Sequence, residues 1–342
     1  MKSKKILAGL MALTFVLGGA AMPANTIVDT VLTASAEETF GDYTYKLLDD
    51  GTVEITNYNG NDENVVTPAN IDGIPVTSIG ELSFKECTNL KSVKISEGVT
   101  NIGRYAFANC TYLKDVTLPD SLERIGIDPF VNTEIESEQN NNGDYMIIDG
   151  WVIITLFDIE NESLTIPDGV VGIADMTMMH GEIHLPDSLK YVGKGAFSDA
   201  LSTEHRVYDT LEIPENVIKI YDVGFMYRAK SLVLHEGLEY IGKGAFLYIT
   251  AKEITVPSSV TYIGESALGY NGKGEKIDGF TISGYTGTAA EKYAKDNGFE
   301  FISLGEVPPA KDTVKGDLNG DGVVNVTDLT KLAAHIKGKK LL

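Results

Sequence analysis

The sequence is poor in positive charge and lacks the usual signatures of catalytic sites. Among 342 residues, 28 lysines and arginines stand against 49 acidic residues, which gives a net charge of -21 at pH 7. A chain this acidic is not expected to bind nucleic acid or an anionic bilayer, because both repel a negatively charged surface. No phosphate-binding loop, zinc signature or nucleophile elbow is present. These absences argue against nucleic-acid binding and the common catalytic classes.

A short apolar stretch lies at the N-terminus. Lys2, Lys4 and Lys5 precede an apolar run from Ile6 to Leu17, which is too short for a membrane span. Ala34-Ser35-Ala36 is a cleavage site of the A-x-A type, and residues 20–24 offer a rival site. We favour cleavage after Ala36, so residues 1–36 are predicted to be a signal peptide and the product to be secreted. Cleavage there changes the net charge from -21 to -23.

A repeat dominates the rest of the chain. Its strongest copies begin at Ile102, Val192 and Ile241, and the looser ones at Ile79, Ile125, Ile173, Ile220 and Ile263. The steps between these starts are 23, 23, 48, 19, 28, 21 and 22 residues, and the 48-residue step holds an insertion. A period of this length is typical of stacked coils, each of which buries its apolar face against its neighbours.

One coil illustrates the pattern. Ile254 and Val256 alternate with Thr255, which predicts a short strand that ends at Pro257. Gly264 is expected to permit a tight corner, and the next residues to form a helical turn that places a large ring in the core. The middle residues of these strands should form one exposed, mostly polar row without an acid–base pair. Its members are Lys94, Thr117, Thr165, His184, Glu212, Val233 and Thr255.

The pattern I-G-x-x-A-F followed by L-x-x-V-x-I-P resembles the BspA-like leucine-rich repeats of bacterial surface proteins, over roughly residues 40–304. Met178 and Leu268 replace the phenylalanine in two coils, and His235 replaces a proline. The resemblance implies an α/β-type leucine-rich repeat solenoid of short strands and short helical or irregular segments. It also implies extracellular protein binding. We place this solenoid at residues 79–304.

Three further segments accompany the repeats. Residues 37–78 are predicted to be an N-terminal β cap, because Asp50-Gly51 between alternating runs is a hairpin signal. The insertion near residues 134–163 is predicted to be a polar loop over 136–143 and then a hairpin around Asp149-Gly150. Trp151 should pack beneath this hairpin rather than serve as a sugar platform. At the C-terminal end, Thr288 and Glu291 have capping-box spacing and Gly298 is suited to ending a helix. A last strand should follow.

Cys87 and Cys110 each lie eight residues past the start of their repeat, at Ile79 and Ile102. They therefore occupy the same site on neighbouring coils, about 4.8 Å apart at strand spacing. A disulfide fits that spacing, and a secreted chain permits one. We predict stacked, buried and reduced thiols, with the disulfide as the alternative.

The sharpest motif lies after a linker at residues 305–315. Within residues 317–328, oxygen-bearing side chains occupy positions 1, 3, 5, 9 and 12, and a glycine occupies position 6. Calcium prefers hard oxygen ligands, and a loop with this spacing wraps one Ca²⁺ ion. The predicted ligands are Asp317, Asn319, Asp321, Val323 through its carbonyl, Asn325 and Asp328.

The calcium loop and the apolar helix predicted after it, residues 316–342, resemble one repeat of a type I dockerin. Dockerins attach secreted proteins to the cohesin modules of cellulosomes and carry two such repeats, whereas one stands before Leu342, so either the sequence is truncated or the module is a half. The resemblance implies a cohesin partner and calcium as cofactor. It places the partner-binding positions at Val326, Thr327 and Ala334.

We therefore expect a secreted, non-enzymatic protein. Its solenoid would bind a protein or glycan, while its tail docks to a cell-surface or cellulosomal scaffold. The first alternative is a free adhesin with a vestigial dockerin, and the second is a polysaccharide-degrading enzyme. No further domain of catalytic size supports the second. His180-Gly181-Glu182-Ile183-His184 has the wrong order for a metalloprotease, and we expect His184 to point outward from a strand.

Overall fold

The computed structural model describes residues 37–139, 145–155, 163–177, 179, 182–198 and 207–307. The predicted signal peptide, the calcium-binding segment, linker residues 308–315, and Met178 and His180 lie outside the described residues. Within the described part of the chain, no helix is long and apolar enough to cross a membrane.

We call residues 37–139 the N-terminal stack. Its first three strands form an antiparallel sheet, and the hairpin predicted at Asp50-Gly51 joins β2 to β3. Strand β3 then pairs in parallel with β6, the first strand of the coils. The role of this hairpin as a cap remains a prediction. The strands are β1 Glu38–Phe40, β2 Tyr43–Leu47, β3 Val53–Tyr58, β4 Asn64–Val66, β5 Asn70–Ile71, β6 Ile74–Ile79, β7 Ser92–Lys94, β8 Asn101–Ile102, β9 Asp115–Thr117 and β10 Arg124–Ile125.

The insertion begins with a short helix, α1 (Glu134–Gln139), where a polar loop was predicted. Thr133 explains this difference, since its Oγ1 accepts the Glu136 N–H at 3.3 Å and its carbonyl accepts the Ser137 hydroxyl. The predicted hairpin is confirmed as antiparallel strands β11 (Tyr145–Ile148) and β12 (Trp151–Thr155). Trp151 is 2% exposed and stacks on the Tyr191 ring, so the expectation of a packed tryptophan is also confirmed.

We call the described residues from 145 to 307 the C-terminal stack. Strands β12, β14, β16, β19, β22 and β24 pair in parallel, in that order, through the repeat-start positions. The remaining pairs are β13 with β15, β17 with β20, β18 with β21, and the set β23, β25 and β26. The bounds are β13 Ser163–Thr165, β14 Gly172–Ile173, β15 Glu182–His184, β16 Tyr191–Val192, β17 Phe197–Ser198, β18 Tyr208–Glu212, β19 Lys219–Ile220, β20 Phe225–Met226, β21 Ala229–Val233, β22 Tyr240–Ile241, β23 Glu253–Thr255, β24 Tyr262–Ile263, β25 Thr281–Thr286, α2 Ala289–Asn297 and β26 Glu300–Glu306.

The parallel pairing of repeat-start strands forms what we call the corner ladder. Ile79 pairs with Ile102, and Ile102 with Ile125, in the N-terminal stack; Val192, Ile220, Ile241 and Ile263 follow one another in the C-terminal stack. The glycine after the isoleucine is needed for a reason other than the predicted corner. A Cβ on Gly103 would lie 2.5 Å from the Glu81 nitrogen, and one on Gly264 would lie 2.4 Å from the Lys243 nitrogen. The glycine lets the backbones of neighbouring coils approach.

The backbone adopts the left-handed conformation two residues after this glycine position. The third residue after every repeat start has a positive φ, in the left-handed region that L-amino acids other than glycine avoid. Its N–H then points along the stack, as when Val223 donates to the Lys243 carbonyl at 2.8 Å. These residues are Leu82, Tyr105, Asp128, Met176, Gly195, Val223, Gly244 and Ser266.

The helical turn predicted after each glycine is wrong for the described coils. The chain forms hydrogen-bonded turns there, and in two coils it forms the short strands β17 and β20. The predicted large ring does reach the core in most coils. Phe84, Phe107 and Phe130 stack at centroid distances of 4.9 and 5.4 Å, and Phe197, Phe225 and Phe246 at 4.7 and 5.7 Å. The described residues contain little helix, and their coils stack on two columns of phenylalanine rings. The protein is therefore a β-solenoid of stacked repeats.

Helix α2 crosses between the parallel strands β25 and β26 at the end of the described region. Gly298 ends it in the left-handed conformation, as predicted. The predicted capping box is not formed, because the Thr288 hydroxyl donates back to the Tyr285 carbonyl. Glu291 instead accepts the Gly287 N–H at 2.7 Å.

Candidate functional site

The predicted calcium site and its cohesin-contacting positions lie outside the described residues, so they remain predictions. The residues concerned are Asp317, Asn319, Asp321, Val323, Asn325, Val326, Thr327, Asp328 and Ala334. Within the described residues, no three His, Cys, Asp or Glu side chains are grouped so that they could hold a metal ion. The candidate site in this part of the chain is the surface of the solenoid.

The residues predicted to form one exposed row are each the last residue of a strand, and we call them the outward row: Lys94, Thr117, Thr165, His184, Glu212, Val233 and Thr255. All seven are exposed, as predicted. The backbone locks them in register: the N–H that follows each strand donates to the outward residue of the next coil. Thr67 donates to Lys94, Ile95 to Thr117, Ile166 to His184, and Ile213 to Val233, each at 3.0 Å.

The prediction of one continuous row is wrong. The strands that carry it form four separate groups, β4-β7-β9, β13-β15, β18-β21 and β23-β25-β26. The first interruption follows Thr117, where the long insertion enters. There Asp149, in the turn of the β11–β12 hairpin, accepts the Leu118 N–H at 2.8 Å through its carboxylate. The chain thus closes this edge with a side chain of its own.

The interruption between β21 and β23 is bridged near the start of the strands. Thr250 donates both its N–H, at 2.9 Å, and its hydroxyl, at 3.0 Å, to the Ala229 carbonyl. Ala251, directly after this bridge, is buried. The two coils are therefore held together although their strands form no ladder.

The interruption between β15 and β18 is open. In the described residues, Leu185 does not make the bond to Glu212 that the pattern of the row would require. A cleft of about 1020 Å³ lies here, lined by residues of both strands and of the segments beside them. Among the described residues, a hydrogen bond joins the two sides at the far end of the cleft, where the Asn216 amide donates to the Asp187 carbonyl at 2.8 Å. The cleft falls in the 28-residue step from Val192 to Ile220, the longest step without the hairpin insertion.

Negative charge lines the cleft. Its walls contain Glu182, Asp187, Asp209, Glu212 and Glu215, two histidines, and no lysine or arginine among the described residues. Lys230 lies 2.6 Å from Asp209 and, by this hydrogen bond, lowers the pKa of that exposed carboxyl. His235 Nε2 lies 3.2 Å from Glu212 Oε1. His184 is on the rim, exposed, as predicted.

A second cluster joins the two stacks on the other side of the coils. Arg124 forms an ion pair with the buried Asp175 at 2.7 Å and lies over the Tyr221 ring at 5.1 Å. Lys219 pairs with Glu123 at 2.5 Å. Burial, followed by the nearby Glu123 carboxylate, raises the pKa of Tyr221. These contacts hold the stacks together, and they present no acid–base pair aimed at an open cavity.

The cysteines occupy equivalent sites on adjacent coils and are free, as predicted. Cys110 is buried and its thiol donates to the Phe84 carbonyl at 3.0 Å, but Cys87 is half-buried, so the prediction of burial is wrong for Cys87. The contact between the thiols, together with burial, raises the pKa of Cys110. The same contact lowers the pKa of Cys87, which makes it the more readily ionised of the two.

These features define a class of protein, the leucine-rich repeat solenoid. Its candidate site is an exposed surface rather than an enclosed pocket of catalytic groups. The family model of the BspA type leucine rich repeat region matches in six copies, over residues 63–147 and 157–273. These matches span more than half of the chain, so the protein belongs to the BspA-type leucine-rich repeat family.

Several solved structures are similar. A leucine-rich repeat protein of T. pallidum is 25% identical, and the match covers 62% of this chain and 88% of that one, with a TM-score of 0.31. A leucine rich cell surface protein of Faecalibacterium prausnitzii is 20% identical over 80% of this chain and 96% of that one, with a TM-score of 0.31. The pneumococcal vaccine antigen PcpA is 12% identical over 79% and 98%, with a TM-score of 0.28. No curated protein matches the chain.

The exposed row was predictable from the sequence, but the cleft was not. The one signal available was the 28-residue step, which adds residues to a coil without saying on which side they lie. The repeat pattern predicts neither the hydrogen bond between Leu118 and Asp149 nor the absence of an equivalent bond at Leu185.

Proposed function

We propose that this protein is a secreted, non-catalytic binding protein whose solenoid binds a protein or glycan at the cell surface. The observation that carries the proposal is the outward row, whose exposed side chains are fixed in register within each of its four groups by bonds between coils. A rigid array of this kind loses little conformational freedom on binding, which favours recognition. Membership of a leucine-rich repeat family supports the same conclusion.

We further propose that the tail docks the protein to a cohesin when calcium is bound. Asp317, Asp321 and Asp328 would hold the ion together with Asn319, Asn325 and the Val323 carbonyl. These are hard oxygen donors, which calcium prefers, and the ion would neutralise three carboxylates that otherwise repel one another. Val326, Thr327 and Ala334 would then contact the cohesin. A short apolar helix without a partner face is marginal in water, so we expect residues 316–342 by themselves to bind calcium and cohesin weakly.

Calcium titration and cohesin capture with the full chain test this proposal. Asp317→Ala combined with Asp321→Ala should abolish both, because each change removes a ligand. Asp312→Ala, a carboxylate in the linker, is the matched control and should change neither. Equal capture in excess chelator would refute the docking mechanism. Absent capture, with intact binding of a partner by the solenoid, would support the free-adhesin alternative instead.

A further inference from the structure

We propose that the cleft between β15 and β18 binds an extended peptide of alternating apolar and basic residues, which adds to the outward row as a strand. This inference deepens the proposed binding role of the solenoid and rests on it. It is independent of the calcium-binding tail.

The strands that border the cleft have backbone edges facing it. Within the described strands, β15 pairs only with β13, and β18 only with β21, so each has one edge towards the cleft. Strand edges with unused N–H and C=O groups bind extended peptides by main-chain hydrogen bonds. At the equivalent position of the first interruption, such an N–H group has a partner, because the Leu118 N–H donates to the Asp149 carboxylate. At the cleft, no described residue does this for Leu185.

The floor of the cleft is apolar and incompletely covered. Ile183 and Leu185 are the inward residues of β15 and its extension, and both line the cleft and remain half-buried. Their counterparts in an intact part of the row, Val93 and Ile95, are 2% and 1% exposed. Apolar side chains of an added strand would cover this floor, since alternate residues of a strand point to the same side.

The rim of the cleft is mostly acidic. Glu182 lies on the outward face of β15, two residues before His184, and Glu212 is the outward-row residue of β18, while Asp187 and Glu215 lie beside them. The outward residues of an added strand would lie between these carboxylates, so lysine or arginine is favoured there and acidic residues are disfavoured. The volume of about 1020 Å³ is at the upper end of the range for ligand sites, roughly 300–1,000 Å³.

Peptide binding to the full chain tests the proposal by fluorescence anisotropy. The probe is a labelled peptide of alternating lysine and valine, about five residues long, the usual length of a strand. One control peptide has proline in place of valine, which removes backbone N–H donors; another has glutamate in place of lysine. We expect the lysine–valine peptide to bind and both controls to fail. Equal binding of the lysine–proline peptide would overturn strand addition and indicate attraction by charge alone.

Protein variants locate the site. Glu182→Gln with Glu212→Gln should weaken the lysine–valine peptide roughly fivefold to tenfold, since two exposed ion pairs are lost. Glu253→Gln is the matched control, because Glu253 is an exposed residue of β23, a strand that pairs with β25. Equal weakening by the control, or none by the double variant, would overturn the assignment of the cleft.

Hydrogen exchange separates strand addition from a looser contact. The bound peptide should slow exchange of the Leu185 amide and leave that of Ile95, already bonded to Thr117, unchanged. Unchanged exchange at Leu185 would refute the proposal. Chelator should not affect peptide binding, whereas it should abolish cohesin capture, so the two mechanisms fail separately.

Discussion

The N-terminal and C-terminal stacks are built from the same coil, yet only the first repeats it regularly. Its repeat starts are 23 residues apart, and its strands β4, β7 and β9 form one unbroken group. A second left-handed residue recurs seven positions after each start, at Glu86, Asn109 and Asn132. In the C-terminal stack the steps vary from 19 to 28 residues, and the outward row breaks into three groups.

The corner ladder does not share this irregularity. Strands β12, β14, β16, β19, β22 and β24 pair without a break through every change of coil length. The coils approach closely at the corner: a Cβ on Gly103, Gly193, Gly242 or Gly264 would lie 2.4–2.6 Å from the backbone of the neighbouring coil, and two coils carry Ala174 and Tyr221 at this position. The strand pairing is interrupted on the outward side, between β15 and β18, where the cleft lies. The regular coils thus make a uniform surface, whereas the irregular coils leave a cleft.

The largest effect is expected from the phenylalanine columns. Phe107 lies between Phe84 and Phe130, and Phe225 between Phe197 and Phe246, and both central rings are fully buried. Phe107→Ala and Phe225→Ala should each lower the free energy of unfolding by about 3–5 kcal/mol. Urea unfolding measures this, with Thr117→Ala and Thr255→Ala on the outward row as controls that should change it by less than about 0.5 kcal/mol. Similar losses in both pairs would mean that the inward and outward faces are misassigned.

A smaller effect is expected at the junction between the stacks. Asp175 is buried and accepts hydrogen bonds from Arg124 and from the Lys194 N–H at 2.8 Å. Asp175→Ala should cost about 1–3 kcal/mol, near the lower value because Arg124 is partly exposed to solvent. Asp222 accepts the Lys243 N–H in the same way but no hydrogen bond from Arg124, so Asp222→Ala is the matched control for the loss of that hydrogen bond. If the two variants unfold at the same urea concentration, the Arg124 contact contributes nothing to the coupling of the stacks.

The smallest effect is expected at the left-handed position, where both stacks place residues other than glycine. Leu82 has φ 59° in the N-terminal stack and Val223 has φ 48° in the C-terminal stack. Leu82→Gly and Val223→Gly should each stabilise the protein by up to about 1 kcal/mol, because glycine adopts this conformation without strain. Thermal unfolding measures the gain, and Gly244→Val provides the reverse change and should destabilise. A loss of stability in both glycine variants would show that the side chains contribute more by packing than the backbone loses by strain.

Several features of the fold were predictable because they follow from residue periodicity. The strands, the hairpins at Asp50-Gly51 and Asp149-Gly150, and the glycine end of α2 are all encoded within a few residues. The left-handed position was not predictable, since only Gly195 and Gly244 mark it and the other coils place side chains there. Helix α1 was missed for a related reason, because Glu134–Gln139 is polar and lacks an apolar period.

The sequence by itself determined the coil, its inward and outward residues, and the equivalence of Cys87 and Cys110, because each depends on spacing along the chain. Only the tertiary structure decided which coils bond to each other on the outward side. That outcome depends on the Leu118 N–H meeting Asp149, 31 residues away, and on the Leu185 N–H meeting no described partner. Such contacts form between segments whose separation varies from coil to coil, so a repeat pattern predicts the fold but not the cleft.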